Sequence, residues 1–191
     1  MELKKANTKA LIFIGVTENF PNSTAALITN YLVKKLKENE VEVILYNVSS
    51  EVPLLDMTMS KHPNSVEEMV NLFLSTELHF WLAPLYHGSI PGIMKNSLDW
   101  LEITSKLPEP YLLDKRIGLI SWADGINALN GITTMENVTK SLRAWPLPYS
   151  VSIEKNRLRD LESPNCISSF YTKKLDRLLD IALSRKIEVV S

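Results

Sequence analysis

Short apolar runs alternate along the chain with longer stretches in which apolar residues return every three or four positions, so strands alternate with amphipathic helices. Residues 10–14 form the first apolar run, ending at Gly15, and a helix begins near Asn22 or Ser23 with Leu27, Ile28, Tyr31, Leu32 and Leu36 on one face. Lys34, Lys35, Lys37 and Glu38 give that helix a solvated opposite face. The β-branched stretch 41–48 predicts a second strand. Ser65-Val66-Glu67-Glu68 reads as a capping box opening a helix with Val66, Met69, Val70, Phe73 and Leu74 inside. Large apolar residues from His79 to Ala83 predict a strand covered on both faces, ended by Pro84.

Beyond it, Ser89 is placed to cap a helix carrying Pro91 in its first turn, with Ile90, Met94, Leu98 and Leu101 buried. A proline-bearing linker, 107–113, leads to a strand over 116–122. Met135, Val138, Leu142 and Trp145 space a further helix. A fifth strand, 149–153, stands beside Pro146 and Pro148, which favour a sheet edge. Ile167, Phe170, Tyr171, Leu175, Leu178 and Ala182 mark the closing helix. Strands separated by helices pair in parallel through right-handed crossovers, so the expectation is an α/β fold with a five-stranded doubly wound parallel sheet, for which we choose the order 2-1-3-4-5. In that order the chain reverses direction between strands 1 and 3. Ligands bind beyond the carboxyl ends of strands at such a point.

Composition narrows the class. The 191 residues, 45% apolar and 23% charged, suffice for one core and one domain spanning 1–191. A net charge of -1 and a pI near 6.3 give no general attraction for nucleic acid or an anionic membrane, and weigh against an electron carrier that docks by a charged face. With Cys166 alone, no intrachain disulfide forms, and a reducing cytoplasm is expected. Lys4 and Lys5 precede an apolar run too short for a signal peptide.

Three loops line the expected crevice: 15–23, 84–91 and 121–127. In the first, backbone amides and the hydroxyls of Thr17, Ser23 and Thr24 can cradle a phosphate at a helix N-terminus, although Ser and Thr there are commonly plain caps. In the third, Trp122 is better read as core than as a stacking platform. Ser121, Asp124 and Asn127 can hydrogen-bond a ligand, while an Asp before Gly is also an ordinary turn residue. His62, His79 and Cys166 lack metal-ligand spacing, and no nucleophile-and-base motif surrounds Cys166. Lys95 and Asp99 fit an intrahelical pair, and Trp100, off the apolar stripe, fits a subunit anchor.

The second loop carries a resemblance. Pro84-Leu85-Tyr86-His87-Gly88-Ser89-Ile90-Pro91-Gly92, followed by Met94-Lys95-Asn96-Ser97-Leu98-Asp99-Trp100, resembles the signature of the NADPH-dependent FMN reductase family. The resemblance implies a flavodoxin-like fold, FMN and NADPH (or NADH) as cofactors, and a homodimer or homotetramer. It lays Pro84, Leu85, Tyr86, His87, Gly88 and Ser89 along the flavin ring. Hydride from NAD(P)H would pass through flavin to a quinone, azo compound, free flavin or other small acceptor, with no protein acid or base required. The family usually has Gly-Ser-x-Arg in the first loop, where this chain has Val16 and Glu18. At ~6 Å and an effective dielectric of ~20, a carboxylate repels each unit of phosphate charge by about 3 kcal/mol, above the ~0.3 to 1 kcal/mol of a helix terminus. Glu18 is therefore expected to point away from a phosphate. The competing expectation is a binding or regulatory module of the same fold that has lost its flavin.

Overall fold

The computed structural model describes residues 8–17, 20–48 and 50–184. The alternation resolves into β1 (Lys9–Ile14), α1 (Thr24–Glu38), β2 (Glu42–Asn47), α2 (Asn64–Leu74), β3 (Leu78–Pro84), α3 (Gly92–Asp99), β4 (Arg116–Ala123), α4 (Ala128–Ser141), β5 (Trp145–Pro146), β6 (Val151–Glu154), α5 (Lys155–Leu158) and α6 (Ser169–Leu183). All pairings are parallel, and the order is 2-1-3-4 with β5 and β6 both on the outer side of β4. The expected order therefore holds, with the fifth strand in two pieces. Trp145 pairs with Arg116 and Val151 with Ile120, and the chain between them leaves the ladder.

Because side chains alternate along a strand, the sheet feeds two cores. Ile12, Phe80, Leu82 and Ile120 meet Ile28 and Leu32 of α1 and Leu175 and Leu178 of α6. Phe13, Trp81, Ala83 and Leu119 meet Phe73 of α2, Met94 and Leu98 of α3 and Met135 of α4. Every residue of β3 is buried, as its apolar run requires. Gly118 lets β4 pass under Phe80, whose ring carbon would lie 2.9 Å from a Cβ there.

Several local expectations are corrected. Helix α2 starts one residue before Ser65, with Pro63 at its N-cap, and the Ser65 hydroxyl donates to the Glu51 carbonyl at 2.9 Å instead of closing a capping box. Pro91, outside the first turn, is the N-cap of α3. Helix α4 ends at Ser141, because Arg143 turns left-handed (φ 61°), and Trp145 starts a strand. Phe170 lies on the exposed side of α6. Trp100 is wholly buried in the 3₁₀ turn (Trp100–Thr104) that continues α3, so it is no subunit anchor. Among the described residues no helix is long and apolar enough to cross a membrane.

Candidate functional site

The parallel sheet delivers the loops after β1, β3 and β4 to one edge. The first loop leaves β1 through Gly15, whose amide donates to the Leu82 carbonyl at 2.7 Å and so ties it to β3. A Cβ on Gly15 would lie 2.2 Å from Met94 Sδ, which is why this position has no side chain. Thr17 is exposed. The loop closes with the Ser23 amide donating to the Phe20 carbonyl, and Ser23 Oγ accepts from the Ala26 amide at 3.1 Å. Ser23 is thus the N-cap of α1 and half-buried Thr24 its first residue. Glu18, together with the family comparison drawn on it, lies outside the described residues.

The second loop is a miniature hairpin. Pro84 is buried at the end of β3, and the Leu85 amide donates to the Trp122 carbonyl at 2.8 Å, extending the β3–β4 ladder by one step. The Tyr86 amide then donates to the Ser89 carbonyl at 2.8 Å, and the Ser89 amide to the Tyr86 carbonyl at 3.0 Å. His87 and Gly88 between them have φ of 49° and 86°. Two successive positive φ values make this a type I′ turn, the turn whose twist suits a two-residue hairpin. Ser89 therefore locks the turn and does not cap α3. Tyr86, His87, Gly88 and Ser89 are exposed, while Ile90 is buried behind them and anchors the hairpin. Among the described residues, the amides of His87 and Gly88 donate to no backbone acceptor.

The third loop offers less. Ser121 is buried, its Oγ without a hydrogen-bond partner and so close to α4 that a Cβ on Gly131 would lie 2.2 Å from it. Ser121, wholly buried between β3 and β6, exposes no atom to this edge. Trp122 is buried core. Asp124 forms an ion pair with Lys155 at 2.9 Å with its side chain 90% exposed, and Asn127 is the N-cap of α4 without a side-chain bond.

The segment after β6 reaches this edge as well. Lys155 meets the third loop through Asp124, and Arg159 Nη2 donates to the Asn22 carbonyl at the end of the first. Neither contact was marked by periodicity or motif. The visible signal was only basic residues at alternate places, Lys155, Arg157 and Arg159, behind a strand.

The other candidates fall elsewhere. His79, at the opposite end of β3, is fully buried against Phe73, with Nε2 2.9 Å from Thr76 Oγ1. Burial, with Lys115 adding, pushes its pKa down to about 3, so it stays neutral. His62 packs edge-on against Trp100, and Cys166 is exposed. Lys95 and Asp99 form the expected intrahelical pair.

The arrangement is a solvent-facing turn, two of whose amides donate to no backbone acceptor among the described residues, at the same edge of the sheet as the capped N-terminus of α1 and at the reversal of strand order. That is the place where parallel sheets take ligands. Comparisons with known proteins supply the family. The family model of NADPH-dependent FMN reductases matches residues 8–157. An FMN-dependent NADPH-azoreductase of Staphylococcus aureus is 26% identical over 151 residues, covering 75% of this chain and 76% of that protein. Among solved structures, an oxidoreductase from Corynebacterium diphtheriae superposes with a TM-score of 0.71 at 16% identity, covering 95% of this chain and all of that one. The NAD(P)H:acceptor oxidoreductase FerB from Paracoccus denitrificans gives 0.70 at 15% identity, covering 92% and 97% of the two chains. At such identities the structures establish the fold. The chain belongs to the NADPH-dependent FMN reductase family of NAD(P)H-dependent oxidoreductases, and FMN and a nicotinamide dinucleotide are the cofactors that membership brings.

Proposed function

We propose that the protein, acting as a single FMN-binding domain, takes hydride from NAD(P)H and passes the electrons to a small acceptor such as a quinone, an azo compound or free flavin, in ping-pong order. The observation that carries this reading is the hairpin 86–89, exposed at the switch point, whose His87 and Gly88 amides donate to no backbone acceptor among the described residues. FMN held there would supply the redox chemistry, a hydride coming from the nicotinamide and a proton from solvent, and two electrons and two protons leaving to the acceptor.

The chain's own residues bind and orient. Leu85, Tyr86, His87, Gly88 and Ser89 would lie along the ring, with Pro84 and Ile90 holding them rigid from below. Amides fixed before binding need no reorganisation when charge develops on the ring. Thr17, Ser23 and Thr24 would hold the phosphate, the Ser23 hydroxyl still having its proton to donate while its oxygen caps α1. From the third loop, buried Ser121 would have to become exposed to contribute, and Asp124 would contribute only by leaving Lys155. His87 is exposed and needs no acid or base role.

A cytoplasmic location fits the single exposed thiol of Cys166. A homodimer or homotetramer is proposed from the family, and sedimentation of the purified chain checks it. The function is tested by colour and turnover: protein titrated with FMN should quench flavin fluorescence at one equivalent and then oxidise NADPH with menadione or an azo dye as acceptor. A colourless chain that leaves FMN fluorescence unchanged would support the cofactor-free module instead.

A further inference from the structure

All strands are parallel, so the chain leaving β6 emerges at the edge that holds the three loops. It carries three cations with different fates. Lys155 is paired with Asp124, and Arg157 with Glu154 at 3.4 Å while covering the Phe170 ring. Arg159 has no carboxylate partner among the described residues. Its guanidinium is held by two carbonyl oxygens: Nη1 donates to Pro164 at 2.7 Å, and Nη2 to Asn22, the residue before the N-cap of α1.

The backbone around Arg159 is fixed as well. Arg159 bridges to Ile167, the Ser168 amide donates to the Leu158 carbonyl at 2.7 Å, and Leu158 is buried. A guanidinium presents five N–H groups in a rigid fork, and neutral carbonyls here take only two of them. The rest, and the whole positive charge, remain available beside the first turn of α1. A phosphate monoester there brings about -1.5 to -2 charges at neutral pH, more than a half-charged helix end offsets.

We propose that Arg159 is the cationic contact for the phosphate of bound FMN, reaching it from the segment after β6 and completing the site made by Ser23 and Thr24. The assignment rests on the flavin reading above. It adds a residue that no local motif of the first loop contains.

The test compares FMN with riboflavin, which has the same ring and ribityl chain and lacks the phosphate. Dissociation constants are measured by fluorescence quenching at low and high salt for the wild type, Arg159→Gln and Arg159→Lys. Removing a charge-assisted contact should weaken FMN binding roughly tenfold to hundredfold in Arg159→Gln, leave riboflavin within about twofold, and flatten the salt dependence. Arg159→Lys, which keeps the charge, should recover most of the FMN affinity. Equal weakening of FMN and riboflavin would overturn the assignment and make Arg159 a loop brace, and so would unchanged FMN binding in Arg159→Gln. Thermal unfolding of each variant separates these outcomes from misfolding, since Arg159→Lys folded but as weak as Arg159→Gln also overturns it. A wild-type protein that binds neither flavin would instead overturn the functional reading itself.

Discussion

The indole Nε1 of Trp100 donates to the carbonyl oxygen of Pro53 at 2.8 Å, joining the end of α3 to the long connection after β2. The same oxygen accepts from Asn96 Nδ2 at 2.8 Å, and Asn96 Oδ1 accepts from the Leu55 amide at 2.9 Å. Two residues of the Lys-Asn-x-x-Asp-Trp motif thus clamp a proline-containing segment. Trp100→Phe should cost about 1–3 kcal/mol, from a lost hydrogen bond and imperfect packing, without changing the oligomeric state. Denaturant unfolding and sedimentation measure the two parts. A change of oligomer with no loss of stability would contradict the clamp.

Gly15 and Met94 share one volume, since a Cβ at the first would lie 2.2 Å from the sulfur of the second. Gly15→Ala must displace the thioether, and overpacking of this kind costs about 1–3 kcal/mol. The two sites should couple: in a Met94→Ala background the cost of Gly15→Ala should fall to less than half. A double-mutant cycle in urea reads this directly, and simple additivity would show that the glycine is required for its backbone instead.

His79 makes stability depend on pH. Its folded pKa, about 3, lies below the ordinary imidazole value of 6.5, so between those values the unfolded chain binds a proton that the folded chain excludes. Stability is complete above about pH 6.5 and declines as pH falls toward 3, with a limiting slope of about 1.4 kcal/mol per pH unit. Lys115, which donates to the Leu74 and Thr76 carbonyls at 2.7 Å, opposes the charge further. In His79→Gln the fall between pH 6 and 4 should be visibly shallower than in the wild type. Parallel melting-temperature curves would assign the acid sensitivity to carboxylates alone.

The turn at 87–88 tolerates asparagine and not a branched side chain. Asn adopts positive φ readily, so His87→Asn should preserve the type I′ geometry and hold FMN within about threefold. Gly88 at φ 86° has open space around it, yet Gly88→Val is strained whatever the space. It should weaken FMN roughly tenfold, by about 1.4 kcal/mol, with little loss of global stability because the turn is exposed. NADPH turnover in His87→Asn below about a tenth of wild type would give the imidazole a chemical role.

Asp124 and Lys155 form an exposed pair. Such pairs contribute about 0–1 kcal/mol, so Asp124→Ala should leave the melting temperature within about 2 °C. Tighter FMN binding in that variant would show that the pair holds Lys155 away from the cofactor.

Much of this was legible in advance. The two periodicities, with Pro84 as a stop, marked the first four strands, because a buried parallel strand such as β3 has little freedom to read otherwise, while the order was a choice among doubly wound sheets and the fifth strand came in two pieces. The hairpin was legible as a motif but not as geometry. Ser89 looks like a cap from its distance to α3, and only the paired positive φ values of His87 and Gly88 show that it closes the turn. Trp100 misled because it lies off the apolar stripe of α3, and its partner, the Pro53 carbonyl, is a backbone atom with no sequence signature. Arg159 was invisible for a related reason: it meets Asn22, 137 residues away, through another carbonyl. Long-range bonds between a side chain and the main chain leave no spacing to read.

The divided outer border of the sheet limits how copies of the chain stack. Beside β4, two paired residues, a break containing Pro148, and four more take the place of one continuous strand. An incoming chain would find no uninterrupted row of donors and acceptors to copy there, so strand addition is disfavoured on that side relative to the rim at β2.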